Sequence, residues 1–505
     1  MKELLAVVDV GGGSARVALV SGEGEYAYFS SVRMSYSFPE DLMGVGMELD
    51  AEALWRSIAS MINRSGMGGR VVGVGVTSQR YATVFTDREG KPVYAGPNTD
   101  ARGLTVQHLI IEKVGRDLHR ITGHWPPLLF MPARILWFKM ERPDVYARIS
   151  RFLNLNDWVT FKFCGEYATD LSNAAETVMF DVSRLEWSRR MLDELGVDVE
   201  QLPMVVSAGE VVGEVTEEAS RETGIPEGTP VVMGGGDTQC AVLASKAKDD
   251  GDVCVVAGTT APIQMVLSSP LIDPEMRIWT SCHVLPGRWV LESNAGVMGR
   301  LVEWFKEELA GKEMEEAEGK GLNPYDELFR MAEEAPVGAG GIMASMGPQV
   351  MDYSGGIRVF PPTISFPPFI MVGGTVTKGE VFRALLENMA FAVRGNCEQL
   401  QEVSGREVEE LKVTGGLARS RFFLRLISDV TGLPVSSPLV EQGSSLGCAV
   451  CVAKGAGVYK SFDEALEGMV KEGESIHPSR ERSKEYEELY SRWRRFYGKV
   501  VGLGF

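Results

Sequence analysis

Two stretches written to one plan constrain this chain more than any other feature. "LLAVVDVGGGSARVALV" begins at residue 4 and "GDVCVVAGTTAPIQMVL" at residue 251, about half the chain apart. Each joins two apolar runs through a turn of small residues, which predicts a β-hairpin with its turn at 11–14 or 258–261. A chain of 505 residues is too long for a single hydrophobic core. The repeated opening therefore predicts two domains with a shared strand-first core, and the division is expected at 1–246 and 247–505.

The pattern after each hairpin alternates. In the first half "DAEALWRSIASMIN" has the apolar spacing of a helix, and "RVVGVGVTSQRYATVFTD" reads as two strands. In the second half "EVFRALLENMAFAVRGNCEQLQEV" predicts a long amphipathic helix. It is followed by a strand in "ELKVTGG" and a helix in "SRFFLRLISDVTG" that stops at its glycine. Alternating strands and helices predict an α/β fold. The acidic run "KEMEEAEGKG" at 312–321 reads as a solvated helix end or loop. Tyr486, Leu489, Tyr490, Trp493, Phe496 and Tyr497 fall at helical spacing and read as core packing.

Lys and Arg number 51 against 69 for Asp and Glu, a net charge of −18. That balance argues against nucleic acid or an anionic membrane as partner, since both need a basic surface. No run approaches a membrane span, and the N-terminal apolar run is too short for a signal peptide. Seven scattered cysteines do not form a disulfide framework. Cys448 and Cys451 sit in an apolar, helix-like stretch with no histidine nearby, so they read as buried thiols rather than zinc ligands. A cytoplasmic protein is expected.

At residues 234–241 the chain reads "GGGDTQCA". Three glycines mark a backbone that bends sharply or approaches something closely. Either this is a tight turn with a solvated Asp237, or it is a loop that presents Asp237 to a ligand. The two hairpin turns can aim several backbone N–H groups at an anion. A third glycine pair, Gly415 and Gly416, lies between a strand and a helix, where a ring or sugar can approach the backbone. Neither G-x-G-x-x-G nor the G-K-[ST] ending of a P-loop is present, so any nucleotide is held by another scheme.

These segments, from about residue 4 to 460, together resemble an FGGY-type carbohydrate kinase. "DVGGGSARV" resembles the first phosphate loop, "VVAGTT" the second and "VTGGLARS" the adenosine loop. "GEVFRALLENMAFAVR" resembles the family's C-terminal signature helix, and "EQGSSLGCAV" the helix start beyond it. The resemblance implies two ribonuclease-H-like domains of the type shared by sugar kinases, actin and Hsp70, with an active-site cleft between them. It implies ATP and Mg²⁺ as cofactors and a small sugar or polyol as substrate, with a homodimer as a candidate assembly.

By this resemblance Asp237 is the catalytic base that takes the proton of the attacking hydroxyl, and Asp9 is the carboxylate near the metal. Gln79, Arg80, Tyr81, Asn98, Asp100, Thr238 and Gln239 are implied beside Asp237 as substrate contacts, with Arg102 in the same "NTDAR" segment. Gly11, Gly12, Gly13, Ser14, Arg16, Gly258, Thr259, Thr260, Gly415, Gly416 and Arg419 are implied on the ATP side. The chain also departs from the family pattern. Gly12 stands where a threonine is usual, Tyr81 replaces the acidic residue of glycerol kinases, and Asn98 stands where many members have tryptophan. The segments "NTDAR", "GGGDTQ", "DPEM" and "HVLPG" look more like the autoinducer-2 kinase branch, with the xylulokinase branch as near neighbour. An open-chain substrate of four or five carbons is therefore expected. The rival readings are a non-catalytic sugar or nucleotide sensor on the same scaffold, a glycerol kinase, and an actin- or Hsp70-like ATPase acting on protein partners.

Overall fold

The computed structural model describes residues 3–42, 44–127, 129–368, 375–439 and 442–504. The chain forms two compact units. The first comprises Met1–Lys248, Leu267–Val290 and Gln442–Lys471, and the second comprises Asp249–Val266, Leu291–Glu441 and Glu472–Phe505. Two segments from beyond residue 247 therefore pack with the first unit, so the units do not follow one cut in the sequence.

The first unit is built on a six-stranded sheet ordered Val211–Glu214, Pro230–Gly236, Val71–Ser78, Leu4–Val10, Ser14–Ser21 and Tyr26–Arg33. Leu4–Val10 pairs antiparallel with Ser14–Ser21 through the predicted hairpin and parallel with Val71–Ser78, which pairs parallel with Pro230–Gly236. All seven residues of Leu4–Val10 are buried, as a strand covered on both faces requires. Helix Ala51–Arg64, capped by Asp50, buries Leu54, Trp55, Ile58 and Ile62 in this unit's core. Helix Gly443–Gly455, from late in the chain, also lies on the sheet. A Cβ on Gly75 would stand 2.3 Å from Val452 Cγ2, so that position must lack a side chain for the helix to seat.

Between the sheet strands lies a region that sequence patterning left unresolved. It contains the three-stranded sheet of Pro92–Gly96, Thr83–Thr86 and Arg151–Asn154, and helices that include Met131–Glu141, Leu155–Cys164 and Leu171–Glu176.

The second unit repeats the plan of the first. Val253–Val256 pairs antiparallel with Thr260–Leu267 through the second predicted hairpin and parallel with Leu411–Thr414. Helix Lys378–Ser404 opens with a capping box between Thr377 and Glu380, and helix Arg421–Thr431 ends at left-handed Gly432. Helix Arg480–Val501 buries Tyr486, Tyr490, Trp493 and Tyr497, as the aromatic spacing predicted. The acidic run lies in helix Gly311–Gly319 and the turn after it, with only Met314 and Ala317 of that helix buried. Among the described residues no helix is long and apolar enough to cross a membrane, and all seven cysteines are free and buried.

Candidate active site

The three parallel strands of the first unit end side by side. Val10 pairs with Ser78, and Ser78 with Gly236. Asp9, the Gln79–Arg80 pair and Asp237 therefore leave the sheet on neighbouring strands spaced about 4.8 Å apart. The carboxyl ends of parallel strands are where ligands bind in open α/β sheets.

The glycine triplet is neither a tight turn nor a free loop. Gly234, Gly235 and Gly236 end strand Pro230–Gly236, and Asp237 is the first residue of helix Asp237–Ala244. Thr77 Oγ1 donates to Gly235 O at 2.7 Å, and Ser172 Oγ accepts from Gly236 N at 3.0 Å. Asp170, which caps helix Leu171–Glu176, accepts in turn from the Ser172 hydroxyl and backbone N–H. The peptide in front of Asp237 is thus fixed from two sides.

Asp237 Oδ1 accepts from Thr238 N at 2.7 Å and from Thr238 Oγ1 at 3.3 Å. Oδ2 has no protein donor among the described residues. Burial pushes the Asp237 carboxyl up to about 6; the Arg80 guanidinium opposes that rise and the Asp9 carboxylate adds to it.

Asp9 lies almost wholly inside, and its Oδ2 collects three donors. Ser444 Oγ donates at 2.6 Å, Ser445 Oγ at 2.8 Å and Arg16 Nη1 at 3.4 Å. Both serines belong to the first turn of helix Gly443–Gly455. Gly12 and Gly13 of the adjoining turn are exposed, and Gly11 N donates to Ser14 O at 3.0 Å. A Cβ on Gly12 would meet only Gln79 Oε1, at 3.4 Å, so the missing threonine leaves a space that is open but for this one contact.

Arg80 is buried and pairs with Glu176, Nη1 to Oε1 at 3.2 Å. Tyr81 sits at φ 66°, a conformation costly for an aromatic residue, and Arg134 Nη1 donates to its carbonyl at 2.6 Å. Its ring stands edge-on to Phe130 at 4.8 Å and to Trp279 at 6.2 Å. Arg134 Nη2 also donates to Pro97 O at 2.7 Å and Asp100 O at 3.2 Å, which ties the two predicted contact segments together. Asn98 N donates to Gln79 Oε1 at 3.4 Å, and Gln79 Nε2 is buried.

Two expected substrate contacts are occupied inside the protein. Asp100 is fully buried and accepts from Arg102 Nε at 2.7 Å, from Met47 N at 3.1 Å and from the Tyr94 hydroxyl. Arg80 and Asp100 therefore do not pair with each other; each has its own buried counter-ion. Gln239 is likewise buried, and its Nε2 donates to Glu176 Oε1 at 2.8 Å.

The second unit carries its own small-residue loops. Thr259 and Thr260 are exposed. Gly258 N donates to Thr260 O at 3.1 Å, and Gly258 O accepts from Gly299 N at 3.0 Å, where helix Gly299–Glu308 begins. Gly415 adopts φ +98°, and a Cβ there would fall 2.6 Å from Ala257 O. Gly416 has nothing within 4 Å of its Cβ position. A cavity of about 550 Å³ opens beside them, lined by Gly415, Ala418, Arg419, Leu424, Pro438 and Leu439 among others. That volume suits a nucleoside-sized ligand.

The contrast between the two glycines is testable. Gly415→Ala should cost roughly 1–3 kcal/mol, because a strained backbone and a clash coincide. Gly416→Ala should leave the melting temperature nearly unchanged. Equal melting temperatures for the two variants would contradict the geometry.

Glu176, His124, Arg134, Ser281, Ser444 and Ser445 were not singled out in the sequence. The serines lie within "EQGSSLGCAV", read only as a helix start, and "SNAAETVMF" around Glu176 has no glycine or spacing cue.

Comparison with known proteins agrees with this layout. The models of the FGGY family of carbohydrate kinases match at residues 4–244 for the N-terminal domain and 253–456 for the C-terminal domain. An autoinducer-2 kinase of Klebsiella pneumoniae is 31% identical across 100% of this chain and 95% of its own length. The solved xylulose kinase of Lactobacillus acidophilus shares the fold at a TM-score of 0.84 and 18% identity, covering 99% of this chain and 98% of its own. The Plasmodium falciparum glycerol kinase with ADP superposes at a TM-score of 0.84 and 18% identity over 99% and 98% of the two chains. With both family models matched and both hairpin-led sheets in place, the chain belongs to the FGGY family of carbohydrate kinases and transfers phosphate from ATP to a hydroxyl of a small sugar or polyol.

Proposed function

We propose that the acceptor is an open-chain ketose, hydroxyketone or polyol of four or five carbons, phosphorylated at a terminal hydroxyl. The observation that carries this reading is the wall beside Asp237. Arg80 supplies a cation, and the position after it carries an aromatic ring, Tyr81, set against Phe130 and Trp279, in place of a carboxylate. Such a wall suits a carbon chain with a carbonyl or hydroxyls at one edge better than the three-carbon glycerol. The similarity to an autoinducer-2 kinase across the full chain supports the same class.

In this reading Asp237 accepts the proton of the attacking hydroxyl through Oδ2, and Arg80 orients the acceptor. Gln79, Tyr81, Asn98 and Thr238 complete the acceptor side. Asp100 and Gln239 act from behind it, since both are buried on protein partners. Phosphoryl transfer needs positioning and charge neutralisation more than covalent chemistry, and one aligned carboxylate meets that need. Gly11, Gly12, Gly13, Ser14, Arg16, Gly258, Thr259 and Thr260 are assigned to the phosphates, and Gly415, Gly416 and Arg419 to the adenosine.

The residues present fit a Mg²⁺ ion that arrives with the nucleotide. Among the described residues no group of three or more His, Cys, Asp or Glu could hold a metal, so a dedicated protein cage is not what the fold offers. Mg²⁺ in kinase sites takes one or two carboxylates with water and phosphate oxygens. Asp9 provides one, with Oδ2 fixed by two serines and no protein donor on Oδ1 among the described residues. When bound, the ion would neutralise phosphate charge. Seven buried free thiols and the acidic balance fit a protein working in the cytoplasm.

The deciding measurement is kcat/KM for xylulose, ribulose, erythritol, the autoinducer-2 precursor and glycerol. A polar site should reject analogues lacking one hydroxyl strongly, because its own groups are left unpaired. Glycerol as the best substrate would overturn the acceptor assignment.

A further inference from the structure

One buried carboxylate has no part in the assignments above, although the side chains of Arg80, Gln239 and Ser281 all end on it. Glu176 is the last residue of helix Leu171–Glu176, the helix whose Ser172 holds the peptide before Asp237. Its Oε1 accepts from Arg80 Nη1 at 3.2 Å, from Gln239 Nε2 at 2.8 Å and from Ser281 Oγ at 2.9 Å. Its Oε2 lies 3.3 Å from His124 Nε2. His124 Nδ1 lies 2.8 Å from Thr122 O, an atom that only accepts, so that nitrogen carries a proton.

These partners come from separate places. Arg80 follows strand Val71–Ser78, Gln239 lies in the first turn of helix Asp237–Ala244, and Ser281 lies in strand Trp279–Cys282. A fully buried carboxylate is costly unless paired and hydrogen-bonded, and here Oε1 is paired with Arg80 and accepts from Gln239 and Ser281. The Arg80 and His124 charges hold the Glu176 carboxyl well below the usual range, against the effect of its burial.

We propose that Glu176 is a positioning residue for phosphoryl transfer: it fixes Arg80 and Gln239 in the geometry the acceptor alcohol requires. The proposal rests on the acceptor site assigned above. Glu176 itself is fully buried, so it acts through these side chains rather than on the substrate.

The test is Glu176→Gln, which keeps shape and removes charge. We expect KM for the preferred acceptor to rise about tenfold or more and kcat to fall, with KM for ATP within twofold of wild type. On an Arg80→Ala background the same substitution should add little, since Glu176 acts through Arg80. Ser281→Ala is the milder second variant, in case the first folds poorly, and should raise acceptor KM several-fold with ATP unaffected. Losses shared equally between acceptor and ATP, additivity in the double variant, or unchanged acceptor kinetics in both single variants would each overturn the proposal. A crystal structure of Glu176→Gln adds a readout free of turnover. Arg80 should be displaced in it, and an unmoved Arg80 would overturn the role of Glu176 even if no compound in the acceptor panel is phosphorylated. Failure of the wild-type enzyme across that panel would instead strike the acceptor assignment.

Discussion

Asp237→Asn should lower kcat by roughly 10²–10⁴, the usual contribution of a positioned general base, and should make the folded protein more stable at neutral pH. Both effects have one origin. The carboxyl is pushed up to about 6, chiefly by burial, with Arg80 opposing and Asp9 adding. The base must be ionised to accept a proton, so wild-type kcat/KM should fall as pH drops through about 6, and the variant should lack that limb. For stability the sign is opposite. A folded-state value above the unfolded one means the folded protein binds the proton more tightly. The stability from Asp237 is then fully present below the unfolded value and is lost as pH rises through about 6. At pH 7 the ionised side chain costs of order 1–3 kcal/mol, which the neutral amide avoids. Initial rates from pH 5 to 8 and thermal unfolding at pH 4 and 7 check both halves. Near-normal turnover in the variant would remove Asp237 from the mechanism.

Asp9→Asn should reduce turnover by about 10²-fold or more, since several kcal/mol of charge stabilisation at the phosphates depends on a correctly held cation. The fold should survive. The amide oxygen can still accept from Ser444 and Ser445, whose hydroxyls stand 2.6 and 2.8 Å from Oδ2. The half-exposed Arg16 partner at 3.4 Å contributes little to stability. The expected signature is a higher Mg²⁺ requirement, read by calorimetric titration of the nucleotide with and without the ion. Identical Mg²⁺ dependence in variant and wild type would remove Asp9 from the metal assignment.

The hairpins, the long helix Lys378–Ser404 and the aromatic face of Arg480–Val501 were legible because each is written in local periodicity. Asp9, Arg80 and Asp237 were legible as candidates through the family motifs that carry them, and the fold sets them at or just past strand ends of one sheet. Their supports were not. Glu176 meets Arg80 across 96 positions and Gln239 across 63, and nothing in the residues around it encodes those meetings. The partners of Asp100 were hidden for the same reason. Its segment reads as a loop, and only the fold reveals that Arg102 and Tyr94 hold its carboxylate. The glycine triplet read as a bend because glycine weakens strands. In the sheet it is a strand end packed so tightly that a Cβ on Gly235 would meet Val284 Cγ1 at 2.2 Å.

Helix Gly443–Gly455 also sets a clock on synthesis. The strand holding Asp9 leaves the ribosome early, but the helix that covers the sheet and supplies Ser444 and Ser445 is made more than 430 residues later. At about 5–20 residues per second, the nascent chain waits roughly 20–90 s with that apolar face uncovered. During this interval the uncovered face is open to chaperones, and a ribosome stalled before residue 442 would leave the sheet without its covering helix.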